Sequence, residues 1–131
     1  MNPEAEDWWK RALRAFKTAA TLIDQDPDAS ASRAYYAAFY AVSALYALQH
    51  RSFRKHAEVE AAVHRDLVKA GKWPVEVGAA FSWLATLRYT GDYGGEAHVK
   101  PDEAREAVRK AEQVLQAVRE LSPEPLSEVV R

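Results

Sequence analysis

The sequence predicts an all-α protein, an antiparallel up-and-down bundle of four to five helices. Three observations carry this. Apolar residues recur every three or four positions through most of the chain, prolines and glycines punctuate it where helices would end, and no useful stretch alternates as a strand does. The breaks between helical segments are short, which suits neighbours packed antiparallel.

The first helix opens at Asn2-Pro3-Glu4, a capping side chain followed by proline and an acidic first turn. Trp9, Leu13, Phe16, Ala20 and Ile23 then mark one face, and the segment ends before Asp26-Pro27-Asp28. The second helix starts between Asp26 and Ser30 and runs to about Gln49. From Ala34 to Leu48 it is apolar almost all round, so it is expected to be the central element or part of a dimer interface. A basic connection, His50 to His56, leads to a third helix over roughly Lys55 to Lys69, with Val59, Val63 and Leu67 in one stripe and Gly71 as its stop. Trp73-Pro74 opens the fourth, which Gly91 and then Gly94-Gly95 are expected to terminate. The fifth begins at Pro101-Asp102-Glu103 and continues to Leu121. The expected organisation is one domain over 1–122, with a short tail, 123–131, that frays.

Composition narrows the function classes. The 131 residues include no cysteine, which removes disulfides, thiolate metal sites and a thiol nucleophile. No apolar run reaches the ~20 residues of a membrane span, and Met1 to Lys10 is acidic rather than basic-then-apolar, so a cytoplasmic protein with no membrane association is expected. A net charge of −1 argues against a general polyanion binder, so any nucleic-acid contact should be confined to a local site.

The segment Ser32-Arg33-Ala34-Tyr35-Tyr36-Ala37-Ala38-Phe39-Tyr40-Ala41-Val42-Ser43-Ala44 closely resembles the second helix of HEPN domains, in their small stand-alone branch. Three further features follow in the expected order: His56 after the loop, the run Leu87-Arg88-Tyr89-Thr90-Gly91-Asp92-Tyr93-Gly94, and an alanine-rich closing helix from Pro101 to Val118. The resemblance covers roughly Trp9 to Val118. It implies a four- or five-helix bundle, commonly a homodimer. It also implies either a metal-independent RNase toxin paired with a nucleotidyltransferase antitoxin, or a relative that binds nucleotides or RNA without cleaving. The active branch places a histidine four to six residues after an arginine. Here the position five residues after Arg88 is Tyr93, and the literal spacing occurs elsewhere, from Arg51 to His56.

The leading expectation is therefore a nucleotide- or RNA-binding module, dimeric and open to a nucleotidyltransferase-type partner. An RNase using a cleft around Arg88 is the alternative, and a purely structural helical dimer the second. Arg88 and Tyr93 are the candidate catalytic residues. Arg88 projects from the inward stripe of the fourth helix, where its planar fork suits a phosphate. Its plainer role is an ion pair with Asp92 or the helix's own last carbonyls. Tyr93 offers a phenol that is a poor base at neutral pH.

Arg33, Tyr36 and Tyr40 share a face at i, i+3 and i+7, a groove on which a base could stack, though such a stripe is more often core. Arg33 should find Asp92 or a glutamate. Arg51, Arg54 and Lys55 make the one concentrated basic patch, expected to contact RNA backbone or simply to be balanced by Glu58 and Glu60. His56 has the reference pKa, ~6.5, of an acid–base group. Together with Glu60 it makes two ligands, too few for a metal site, so neither metal nor cofactor is expected.

Overall fold

The computed structural model describes residues 2–53 and 55–131, and among them there are five α-helices and no strand. They are α1 (Pro3–Leu22), α2 (Pro27–Ala47), α3 (His56–Ala62), α4 (Val75–Tyr93) and α5 (Pro101–Leu121). The all-α bundle expected from the sequence is the observed architecture.

Local chemistry sets most boundaries. The Asn2 side-chain oxygen accepts from the backbone N–H groups of Glu4 and Ala5, satisfying donors that a helix start leaves open. Its amide nitrogen donates to the Ala47 carbonyl at 3.0 Å, which ties the start of α1 to the end of α2. Asp26 caps α2 through the Ala29 N–H, with Pro27 in the first turn. At the start of α5 the Lys100 N–H donates to the Glu103 carboxylate, ahead of Pro101.

The central helix is α2, buried along most of its circumference and packed against α1, α4 and α5. Its alanines (34, 37, 38, 41 and 44) are fully buried and bring neighbouring backbones close, while Tyr35, Phe39, Val42 and Leu45 fill the space between. Phe16, Phe81, Leu84, Val108 and Leu115 complete the core from the surrounding helices. The fully buried Ser30 donates its hydroxyl to the Ala19 carbonyl at 2.7 Å, so this polar group is satisfied.

Four expectations change in detail. The third segment is α-helical only to Ala62 and continues as a wider π-helix over Val63–Val68, with Lys69 N–H bonded to the His64 carbonyl five residues back. Val59, Val63 and Leu67 still face the core, and Gly71, at φ 75°, ends the segment as its left-handed conformation permits. Pro74 caps α4 rather than entering it.

Gly91 does not stop α4, because α4 runs on to Tyr93 and places Asp92 and Tyr93 on its last turn. The glycine serves close approach instead: a Cβ there would lie 2.9 Å from the Asp28 carbonyl oxygen at the start of α2. Gly91→Ala is thus expected to push α2 from α4 and cost about 1–3 kcal/mol, read as a lower Tm and an earlier urea midpoint.

The tail expected to fray is non-helical yet docked. Leu126 is buried, and the Trp9 indole N–H donates to the carbonyl and hydroxyl oxygens of Ser127 at 3.2 and 3.1 Å. Burying an apolar side chain and satisfying an indole donor together hold this strand of chain against α1.

Candidate functional site

The pairing of α2 with α4 runs antiparallel, so the last turns of α4 meet the first half of α2, and the start of α3 closes over them. This junction collects Arg88 from α4, Tyr35 and Tyr36 from α2, and His56 and Glu60 from α3.

The Arg88 guanidinium lies 4.9 Å from the centre of the Tyr35 ring and 5.9 Å from that of Tyr36, within cation–π range of both. Its side chain is 17% exposed, and its contact with the Asp92 carboxylate is loose at 3.6 Å. The Arg88 Nε is buried and has no hydrogen-bond acceptor among the described residues. The result is a positively charged fork held by aromatic faces and short of acceptors.

Tyr35 is fully buried, with its ring 6.1 Å from Phe81 and its hydroxyl at the niche. That hydroxyl stands 3.3 Å from His56 Nδ1 and donates to Glu60 Oε1 at 3.4 Å. A phenol that gives its proton to Glu60 accepts from Nδ1–H, which leaves the lone pair on His56 Nε2. Both bonds are long, so they orient the imidazole without fixing it tightly. The His56 ring also packs 4.4 Å from Phe39. Burial, the Glu60 carboxylate and the hydrogen bond to it push the Tyr35 phenol well above its usual range, although Arg88 opposes them, so Tyr35 stays protonated at any physiological pH.

Burial and then the Arg88 charge hold His56 below its ordinary value, against the pull of Glu60. The stability that follows is fully present above the unfolded value of ~6.5 and is lost as pH falls through the folded value, because the unfolded chain takes up the proton first. Urea unfolding compared above and below that pH is expected to show a steeper acid loss for the natural protein than for His56→Gln.

The other sequence candidates fall in different places. Arg33 does not reach Asp92. Its guanidinium lies over the Tyr36 ring at 4.8 Å and forms no ion pair among the described residues, because α4 presents Asp92 to Arg88 one turn behind it. Tyr40 packs against Trp8 and against Tyr36, with ring centres 5.7 Å apart in each pair, so it borders the niche through Tyr36. Arg51 bonds to Asp66 at 2.9 Å, rather than being balanced by Glu58 or Glu60, and covers the rings of Tyr46 and Phe53. Hydrogen bonds from Arg65, then Arg51, outweigh partial burial and hold the Asp66 carboxyl down at about 2. Arg51 is thereby a structural pin for the loop after α2. Arg54 lies outside the described residues. Tyr93 is 65% exposed and packs on the exposed Tyr89 at 5.3 Å, whereas the Arg88 fork lies on Tyr35 and Tyr36.

Tyr35 was not among the sequence candidates, since nothing in an apolar helix marks one buried tyrosine as the group joining two others. Glu60 was visible as the i+4 neighbour of His56 and as a counter-charge to the basic patch, not as a partner of Tyr35. Among the described residues no three His, Asp or Glu side chains converge as a metal ligand set.

A tyrosine-rich central helix, an arginine on the last turns of α4 and a histidine opening α3 match the resemblance noted above, and comparison with protein families decides it. Residues 5–121 match the HEPN domain model. The chain belongs to the HEPN family. This HEPN protein is 38% identical over 117 residues to a UPF0332 protein of Thermotoga maritima, an alignment covering 88% of this chain and 89% of that one. It is 30% identical over 122 residues to the UPF0332 protein glr0978 of Gloeobacter violaceus, covering 92% and 97%. A more distant relative, 26% identical over 108 residues and covering 82% and 74%, bears the name "Putative toxin MJ0142" in Methanocaldococcus jannaschii. Among the described residues no helix of the HEPN protein is long and apolar enough to cross a membrane.

Proposed function

We propose that this HEPN protein binds RNA or a nucleotide by a phosphate group at Arg88. The observation that carries the reading is the state of that guanidinium, half-buried on two tyrosine rings, loosely paired with Asp92 and short of acceptors. A phosphate at the mouth of the niche supplies the oxygens the fork lacks, and the low local dielectric strengthens the contact. Tyr36, half-exposed beside it, offers a face for a base.

A second reading, metal-independent cleavage, has a specific observation in its favour. Although Tyr93 occupies the position where the active branch has histidine, His56 comes to Arg88 from α3 and shares Tyr35 with it. With Nε2 as base, the 2′-hydroxyl of a bound strand loses its proton and its oxygen bonds to phosphorus. The bond to the 5′-oxygen then breaks, and water returns a proton to that oxygen. Arg88 would neutralise charge at phosphorus in this scheme.

The same reading includes a homodimer, in which a second copy seated on Tyr89 and Tyr93 encloses the niche, and a nucleotidyltransferase-type protein as partner. The relative named as a toxin supports looking for such a partner.

Purified protein incubated with total RNA, beside Arg88→Ala and His56→Gln, separates the two readings. Binding lost in Arg88→Ala with no cleavage by any form supports recognition alone. Cleavage lost in both variants supports the second reading. Equal behaviour of all three proteins contradicts both.

A further inference from the structure

A second charged feature lies outside the niche. Between α1 and α2 runs an open groove of about 410 Å³ whose walls include Lys10, Arg11, Arg14, Arg33 and Tyr40, with Asp7 as its one acid. Four cations against one carboxylate is a local excess in a chain whose net charge is −1. Arg11 is engaged by Asp7 at 3.0 Å and Lys10 by Glu6 at 3.3 Å, both exposed pairs that are worth little and exchange readily. Among the described residues neither Arg14 nor Arg33 takes part in an ion pair.

Aromatic faces accompany the charge. Trp8 and Tyr40 pack together with ring centres 5.7 Å apart, and the Arg11 guanidinium rests over Trp8 at 5.5 Å. The groove also joins the niche. Arg33 lies 4.8 Å from the centre of the Tyr36 ring and Arg88 5.9 Å from the same centre, so one tyrosine links the two cations.

We infer that this groove carries the backbone of a single-stranded RNA toward Arg88, with phosphates on Arg14 and Arg33 and bases against Tyr36 and Tyr40. A line of cations interleaved with aromatic faces is what single strands need, because every base presents a face for stacking and every step a charge. Lys10 and Arg14 stand one helical turn apart, about 5–6 Å between Cβ atoms, comparable with the step between phosphates of an extended strand. An acidic protein surface would use the same cations, and a groove that fails to bind an oligoribonucleotide is the outcome that would favour it.

The inference rests on Arg88 as a phosphate site, and the test separates the two claims. Fluorescence anisotropy follows a short labelled single-stranded oligoribonucleotide, and a thermal shift follows adenosine monophosphate, which is too small to span the groove. Arg14→Glu, at an exposed position, is expected to weaken oligoribonucleotide binding about tenfold at low salt and leave the mononucleotide shift unchanged, and Arg33→Glu, whose native side chain lies on Tyr36, to weaken oligoribonucleotide binding by a similar factor. The slope of log affinity against log salt should become shallower by about 0.7 for each phosphate contact removed. Circular dichroism checks that both variants fold. If Arg14→Glu and Arg33→Glu bind the oligoribonucleotide as the natural protein does, or the natural protein does not bind it, the groove is not an RNA path. If both weaken binding while Arg88→Ala does not, the groove stands and the reading of Arg88 falls.

Discussion

An Arg88→Ala protein is expected to remain folded and to lose at least about tenfold in affinity for RNA and nucleotides, because Arg88 is the cation seated on both Tyr35 and Tyr36. The structural part of the change is small. The cation–π contacts to Tyr35 and Tyr36 and the packing of the side-chain stem are lost, about 1–2 kcal/mol in sum, while an unsatisfied buried donor disappears with them. Arg88→Lys tests the geometry. It retains the charge but not the planar pair of donors, so an intermediate affinity is expected. Anisotropy titration with thermal melting of the same samples separates lost recognition from lost fold.

Phe81→Ala is expected to produce the largest loss of stability among changes that touch no candidate ligand group. Phe81 is fully buried in the middle of α4, and its ring lies 6.1 Å from that of Tyr35, on the inner side of the niche. Truncation removes an aromatic side chain from a close-packed interior and leaves a cavity bounded by α2. The expected cost is about 3–5 kcal/mol, a large share of the ~5–15 kcal/mol that stabilises a domain of this size. Phe81→Leu should cost less than half as much. Tyr35 carries the hydroxyl that orients His56, so the alanine variant should also weaken ligand binding below its own melting transition. Urea unfolding at equilibrium measures the first effect and titration well below Tm the second.

The architecture was largely legible because its signals are local. Asn2-Pro3, Asp26-Pro27 and Pro101 with Glu103 specify helix starts through their own side chains, and the uninterrupted apolarity of α2 can be satisfied only at the centre of a bundle. The errors came where tertiary contacts decide. Gly91 reads as a stop in sequence but lets two backbones approach in space, and Leu126 reads as part of a loose tail but has a core to enter.

The site was legible only in pieces. Arg88 and Asp92 are four residues apart on one helix, so their pairing could be anticipated. Arg88 and His56 are on different helices, and only the packing of α3 across the α2–α4 seam brings both to Tyr35. The spacing from Arg51 to His56 has no counterpart in the side-chain pairing, since Arg51 bonds Asp66 while His56 stands beside Tyr35.

The most direct test of the central claim observes the Arg88 Nε–H itself. In a two-dimensional proton–nitrogen spectrum of the natural protein, Arg88→Ala assigns the resonance, and adenosine monophosphate or a short oligoribonucleotide is then titrated in. A saturable shift of that resonance, accompanied by His56 ring signals moving at the same midpoint, is the predicted result. Ligand binding that saturates while the Arg88 signal stays in place would contradict it, and would put recognition elsewhere on the molecule.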